Sequence, residues 1–122
     1  MKIKDKKKPP LLIEGELLLE KGCKITRSEV HVRILDVTHI DAESDMLTEL
    51  IVVLAIKKNQ TKIPFEIFGP VPNPSKRYIV VASISAEKEN KDNKTLYRTT
   101  QSIPVFREGY PEAVTIPLTK IN

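Results

Sequence analysis

The sequence contains no tryptophan, and its aromatic residues are limited to three tyrosines and three phenylalanines. A hydrophobic core in this chain must therefore be built mainly from Val, Ile and Leu. The single cysteine, Cys23, can form no disulfide within the chain, and its role stays open. No apolar run approaches the roughly 18 residues that a membrane-spanning helix needs. The longest run, Leu50–Ile56, has only the length of a buried strand.

The first residues show neither the apolar stretch of a secretory signal nor a lipobox. From the residues alone, we expect either a cytoplasmic protein or a mature form whose signal has already been removed.

The positive charge is concentrated at the start of the chain. Of the 20 Lys/Arg and 16 Asp/Glu residues, five lysines and one aspartate lie in residues 1–8, and the remainder holds 15 of each sign. We therefore predict a flexible Lys-rich leader over residues 1–10 and a single domain over residues 11–122. The sequence shows no basic face with interleaved aromatics, so no nucleic-acid partner is expected.

Alternation of apolar and polar residues predicts strands along most of the chain. The predicted strands are Leu11–Leu19, Ser28–Leu35, Thr48–Ile56, Lys62–Phe68, Arg77–Ser85, Thr95–Gln101, Ile103–Phe106 and Ala113–Ile121. Turn signals between them favour an all-β fold, an antiparallel β-sandwich of seven or eight strands with an Ig-like or Greek-key-like arrangement. The predicted core consists of Ile13, Leu17, Val30, Val32, Ile34, Val52, Leu54, Phe65, Val80, Ala82, Val114 and Ile116.

Three segments carry more specific predictions. Thr48–Ile56 has leucines at helical spacing, but its β-branched residues favour a strand, which we expect to be buried on both faces. Lys62–Phe68 contains Pro64, which lacks an N–H and indicates an edge strand or a bulge. Arg77–Ser85 is the best candidate for a central strand.

The sequence shows no pattern that carries enzymatic chemistry. A Gly-rich phosphate loop, a nucleophile elbow and a nucleophile–His–acid pattern are all missing from it, so no catalytic residue and no cofactor are predicted. A zinc site needs three or four ligands, and His31, His39 and Cys23 are the only histidines and cysteine in the sequence. His31 is more simply explained as an exposed strand residue beside Arg33, so no metal site is predicted.

A cluster of carboxylates follows the second predicted strand. It consists of Asp36, Asp41, Glu43 and Asp45. The EF-hand order and its central glycine are missing, so a solvated acidic loop is favoured over a calcium site. The other simple interpretation is a turn in which Asp36 accepts a hydrogen bond from the nearby main chain.

Several short motifs occur in an order that resembles a known family. They are I-E-G-E-L (13–17), E-V-H-V-R-I-L-D-V-T-H-I-D-A (29–42), K-I-P-F-E-I (62–67), R-Y-I-V-V-A-S-I (77–84), L-Y-R-T-T (96–100), I-P-V (103–105) and V-T-I-P-L (114–118). This order resembles the YbaY/YscW-type domain of bacterial envelope lipoproteins, a family that includes a type III secretion pilotin. The residues that match its pattern are Asp36, Asp41, Ala42, Pro64 and Phe65, with Thr38 in place of the usual serine.

The resemblance implies a β-sandwich without enzymatic activity that resides in the periplasm or at the outer membrane on a lipid anchor. For the pilotin branch it further implies binding of a secretin subunit. The leading hypothesis is therefore a non-enzymatic, pilotin-like or lipoprotein-chaperone-like envelope domain that binds another protein. The alternative is a module that binds a small ligand or a polysaccharide in a loop cleft.

We predict the partner-binding site at the end of the Lys62–Phe68 strand. Alternation places Phe68 on the face opposite Phe65, away from the predicted core. The loop that follows is stiffened by Pro70 and Pro72, so it would lose little entropy when a partner docks. Phe68, Pro70 and Pro72 are therefore the predicted partner-binding residues.

Overall fold

The computed structural model describes residues 8–19, 27–39, 45–57, 60–86 and 95–121. Within these ranges every regular element is a β-strand. The strands are β1 (Leu11–Leu18), β2 (Arg27–Asp36), β3 (Asp45–Ala55), β4 (Lys62–Phe68), β5 (Tyr78–Ala86), β6 (Thr95–Arg98), β7 (Ile103–Val105), β8 (Glu112–Pro117) and β9 (Thr119–Lys120). None of the described residues belongs to a helix long and apolar enough to span a membrane.

The strands form two sheets. One has three strands in the order β4-β1-β8, and the other has the order β3-β2-β5-β6-β9 with β7 also paired to β5. The prediction of an all-β sandwich is confirmed, and β5 is a central strand as expected. The pairings are antiparallel except for that of β1 with β8, which is parallel. A parallel pair needs a long crossover connection, and here the chain builds most of the other sheet between the two strands.

Gly15 allows β1 and β8 to approach closely. A Cβ at this position would clash with the main-chain carbonyl oxygen of Val114 and would press on the ring of Phe65. Phe65 is the register partner of Gly15 on β4, so its ring lies over the space that a side chain would fill. The glycine in the first strand is therefore required by packing.

Ten of the twelve residues in the predicted core are buried. Alternation along β1 fails at its start, because Leu12 and Ile13 are both fully buried. The pairing of β1 with β4 shifts register between Leu11 and Ile13, and such a bulge turns two successive side chains toward one side. Strict alternation of apolar and polar residues cannot predict a bulge of this kind.

The prediction that the third strand is buried on both faces is wrong. β3 begins at Asp45 and, within the described residues, pairs only with β2, so it is an edge strand. Ile51 is 52% exposed and Val53 is 40% exposed on its outer side. Val52 and Leu54, which were expected in the core, are only half-buried.

The last predicted strand is divided between the two sheets. β8 pairs with β1, whereas the short β9 pairs with β6, which gives nine described strands in place of the seven or eight expected. The switch occurs at Pro117 and Leu118, where the Leu118 N–H donates to the Leu18 carbonyl at 3.0 Å.

Candidate functional site

Two consecutive strands, β3 and β4, lie at neighbouring edges of the two sheets. Within the described residues, β3 pairs only with β2 and β4 pairs only with β1. The two strands are linked covalently through residues 56–61. At the opposite end, the hydroxyl of Thr48 donates a hydrogen bond to the main-chain carbonyl of Phe68 at 3.1 Å. The two edges are therefore held together at both ends of the space between them.

A groove of about 530 Å³ opens between these two edges. We call it the β3–β4 groove. It is lined by Leu50, Val52 and Leu54 of β3, by Ile63, Pro64, Phe65, Glu66 and Phe68 of β4, and by Glu14, Gly15 and Val30. The β3 residues of the lining, with Ile63 and Phe65, are on the core-facing sides of their strands. Pro64, Glu66 and Phe68 are on the outward face of β4, so the groove extends around the edge of that strand.

The apolar lining of the groove is only partly covered by the protein itself. Leu50 and Leu54 pack against the core from outside but remain half-buried. Phe68 is 47% exposed, although it is one of the largest apolar side chains in the molecule. Contiguous exposed apolar surface rimmed by polar groups marks interaction sites on soluble proteins. The β3–β4 groove has this character.

Two carboxylates give the rim of the groove a negative charge. Glu14 and Glu66 are exposed and lie directly opposite one another in the register of β1 and β4. Neither of them forms an ion pair with any residue in the described ranges. By contrast, the neighbouring Glu16 lies 4.0 Å from the Nζ of Lys62. Like charges directly opposite on a sheet repel, so a cation beside Glu14 and Glu66 would be stabilised.

The structure places the three predicted partner-binding residues in different surroundings. Phe68 is exposed, as alternation predicted, and it lines the groove. Pro70 is exposed in the following loop and is not part of the groove lining, and Pro72 is buried. The binding role of all three stays a prediction, and Phe68 is the one that the groove contains.

The proline-rich loop is fastened to the body of the domain. The main-chain N–H of Asn73 donates to the hydroxyl of Tyr78 at 3.0 Å. The side-chain oxygen of Asn73 accepts bonds from the N–H and the hydroxyl of Ser75, at 2.9 and 2.8 Å. These bonds explain why this loop folds back and buries Pro72, which the sequence pattern alone did not indicate.

Asp36 forms a turn through its side chain, which was one of the two simple interpretations of the carboxylate cluster. Its Oδ1 accepts hydrogen bonds from both the N–H and the hydroxyl of Thr38, and Lys76 Nζ lies 3.3 Å from its other oxygen. The bond from the Thr38 hydroxyl is the main reason that the pKa of Asp36 is lowered. Asp45 is an exposed residue of β3, and the other two carboxylates of the cluster, Asp41 and Glu43, lie outside the described residues.

His31 belongs to a network of side chains on the outer face of the larger sheet. Its Nε2 lies 2.8 Å from Glu29 Oε1 and its Nδ1 lies 3.5 Å from Glu49 Oε2. Arg33 Nε donates to the same Glu49 oxygen at 2.6 Å. This bond is the main reason that the pKa of Glu49 is lowered. In the part of the chain that the structure describes, no three His, Cys, Asp or Glu residues are grouped as metal ligands would be, and Cys23 lies outside that part.

A second cavity, of about 550 Å³, lies among the loops beside β5 and β7. Lys76, Arg77 and Arg107 line it together with Tyr78 and Phe106. The two rings meet edge to face, with their centroids 5.8 Å apart. This is the loop cleft in which the alternative function, binding of a small ligand or polysaccharide, would take place.

Sequence reasoning missed the half of the groove that β3 contributes. Leu50, Val52 and Leu54 were assigned to a strand with both faces buried, so no groove was expected beside Phe68. One signal was available. Glu49 shares a face with Ile51 and Val53, and a charged residue on an otherwise apolar face indicates exposure of that face.

No family model matches the chain, and no curated protein matches it. The chain is similar to a solved structure of an alternative pilotin from the type II secretion system of Vibrio cholerae. The two structures align with a TM-score of 0.71 at 17% identity, over 94% of this chain and 99% of the pilotin chain. The chain therefore has a pilotin-like fold. The more specific YbaY/YscW resemblance stays a prediction.

Proposed function

We propose that this protein is a non-enzymatic, pilotin-like protein of the bacterial envelope whose partner is a secretin-type subunit. The fold is shared with a pilotin over nearly the whole length of both chains, which supports the class of protein. Fold alone does not decide function, so the proposal depends on the site.

The β3–β4 groove is the observation that carries the proposal. It offers a half-exposed aromatic side chain, Phe68, in a lining that also contains the apolar residues Val52 and Leu54. Protein interfaces derive most of their free energy from a few such anchors, which become fully desolvated when the partner covers them. In this proposal the partner buries Phe68 and the groove beside it, and no chemical step takes place there.

The proposed location is the periplasm or the outer membrane, on a lipid anchor, as the family resemblance implies. Fractionation of cells that express the protein from its own gene would test this part. Recovery in the cytosol would contradict it.

Substitution of Phe68 by alanine tests the proposed function. We expect Phe68→Ala to weaken capture of the purified secretin subunit from the same organism by at least about tenfold, because an aromatic anchor is lost. The melting temperature should change little, since nearly half of this side chain is already exposed. Val71→Ala is the matched control, because Val71 is 61% exposed and lies outside the groove lining.

Two outcomes would contradict the proposal. One is capture of the secretin subunit that is unaffected by Phe68→Ala. The other is the absence of any capture by the wild-type protein. In that second case, binding of a glycan or small molecule that is lost on substitution of Arg77 or Arg107 would favour the loop cleft instead.

A further inference from the structure

The hydrogen-bond pattern of the larger sheet fixes which main-chain groups of β3 are unused by the sheet. The Val37 N–H donates to the Arg77 carbonyl at 2.8 Å, in register with the pairing of β2 and β5. Because main-chain groups alternate in direction, odd-numbered residues of β2 bond to β5 and even-numbered ones bond to β3. The register then directs the main chain of residues 50, 52 and 54 toward β2. The N–H and C=O groups of residues 49, 51 and 53 point away from the sheet.

The same reasoning shows that the free edge of β4 is partly protected, at residues 62, 64 and 68 but not at Glu66. The Thr61 carbonyl accepts from the Leu19 N–H, and the Gly69 N–H donates to the Pro10 carbonyl, so the main chain of odd-numbered residues faces β1. The even-numbered residues of β4 therefore direct their main chain to the free edge. Pro64 has no N–H to offer there. The Lys62 carbonyl accepts from the Gln60 amide at 2.9 Å, and the Phe68 carbonyl is bonded to Thr48.

Among the described residues, nothing protects the free edge of β3 in this way. The segment from Glu49 to Ala55 contains neither proline nor lysine, the residues that commonly block pairing at sheet edges. Ile51 and Val53 are 52% and 40% exposed on its outer side. A long, apolar edge strand with free main-chain groups is a template for pairing with another strand.

We propose that the partner docks as an extended segment that adds a strand to the free edge of β3. Its main chain pairs with residues 49, 51 and 53, and its alternate side chains fill the β3–β4 groove against Phe68. A Lys or Arg of the segment lies against Glu14 and Glu66, the two carboxylates of the rim that have no ion-pair partner in the described ranges. The inference deepens the proposed function and rests on it only in taking the partner to be a protein.

Charge and geometry together favour this occupant. The groove lining contains two acidic residues and no basic one, so a segment with a positive side chain is complementary to it. A strand beside β3 would satisfy both the main-chain groups of the edge and the apolar groove. A helix in the groove would cover the apolar surface but leave the N–H groups of residues 49, 51 and 53 without partners.

A peptide of about seven residues that alternates valine and threonine, with one valine replaced by lysine, is a suitable probe. It is compared with a helical peptide of the same charge. We expect the strand-forming peptide to slow hydrogen exchange at the amides of residues 49, 51 and 53. Methylation of alternate peptide nitrogens along one edge should abolish binding, whereas methylation along the other edge should not, because only one edge of the peptide faces β3.

Ile51→Pro is the decisive variant of the protein. It removes an N–H that the sheet does not use, as Pro64 does on β4, so the fold should be retained. We expect it to weaken binding of the strand-forming peptide by at least about tenfold. Ile51→Ala, which keeps the N–H, is the matched control and should change binding less than about threefold. The double variant Glu14→Gln, Glu66→Gln should remove most of the salt dependence of binding of the strand-forming peptide.

Binding of the secretin subunit by the same variants separates this inference from the proposed function. If the subunit binds and Ile51→Pro has no effect, the strand pairing is wrong and the proposed function stands. If only the strand-forming peptide binds, with the expected sensitivity, the pairing stands and the secretin partner is wrong. Preference for the helical peptide, failure of every probe, or dimerisation of the protein that Ile51→Pro abolishes would each overturn the inference.

Discussion

β3 and β4 border the same groove, and within the described residues each pairs on one side only, yet their free edges differ in chemistry. Of the residues that β4 directs toward the free side, one is a proline and two have occupied carbonyls, which leaves Glu66. By contrast, β3 directs three residues there whose N–H and C=O groups have no partner among the described residues. Their inner faces differ as well. Ile63, Phe65 and Ile67 of β4 are buried, but the inner residues of β3 are only half-buried. β4 is thus a largely blocked edge of the sandwich, whereas β3 is the more open edge, which we propose that a partner strand completes.

The largest expected effect comes from comparing a valine in the core with a valine in the groove lining. Val32 on β2 is fully buried, and Val52 lies on the half-buried inner face of β3. Val32→Ala should lower the free energy of unfolding by about 2–4 kcal/mol because it leaves a cavity in the core. Val52→Ala should cost less than about 1.5 kcal/mol, since the groove is already open there. Urea denaturation of both variants measures the difference, and equal losses would mean that β3 is as well buried as β2.

The sequence was sufficient to predict that β4 is an edge strand, because the residues that indicate it lie within the strand itself. Pro64 marks an edge by its own chemistry, and alternation along seven residues assigns Ile63, Phe65 and Ile67 inward and Phe68 outward. The exposure of Phe68 followed from the same pattern. The glycine of the first strand was also visible, although its close approach to Val114 was not.

The edge position of β3 was not predictable in the same way, because it depends on strand order. An apolar run such as L-I-V-V-L is compatible with a central strand, and only the pairing partners show that one side is free. The parallel pairing of β1 with β8 and the bulge at Leu12 are likewise products of tertiary packing. The groove itself arises where two strands of different sheets meet, so neither strand's sequence could indicate it alone.

A smaller effect is expected from the bond that joins the two edges. Thr48→Val keeps the branched shape of the side chain but removes the hydroxyl that donates to the Phe68 carbonyl. We expect a loss of about 0.5–1.5 kcal/mol in the free energy of unfolding, the usual net value of such a bond. Thr115→Val on β8 is the matched control, because Thr115 is exposed. If both substitutions had the same effect, the hydroxyl of Thr48 would not hold the two edges together.

The smallest expected effect concerns how β3 is held to β2 at acid pH. Arg33 donates to Glu49 of β3 and lowers the pKa of that carboxyl below its ordinary value of 4.5, with a further contribution from His31. A carboxyl whose pKa is lower in the folded state adds stability above the unfolded pKa, and that stability is lost as the pH falls through the folded pKa. Wild type should therefore lose stability below about pH 4.5 more steeply than Glu49→Gln, and added salt should reduce the difference because Arg33 is 45% exposed. Urea denaturation between pH 3 and pH 6 measures both slopes. Parallel slopes would mean that the ion pair contributes nothing to the attachment of β3, which would then depend on main-chain pairing and on the half-buried side chains of the groove.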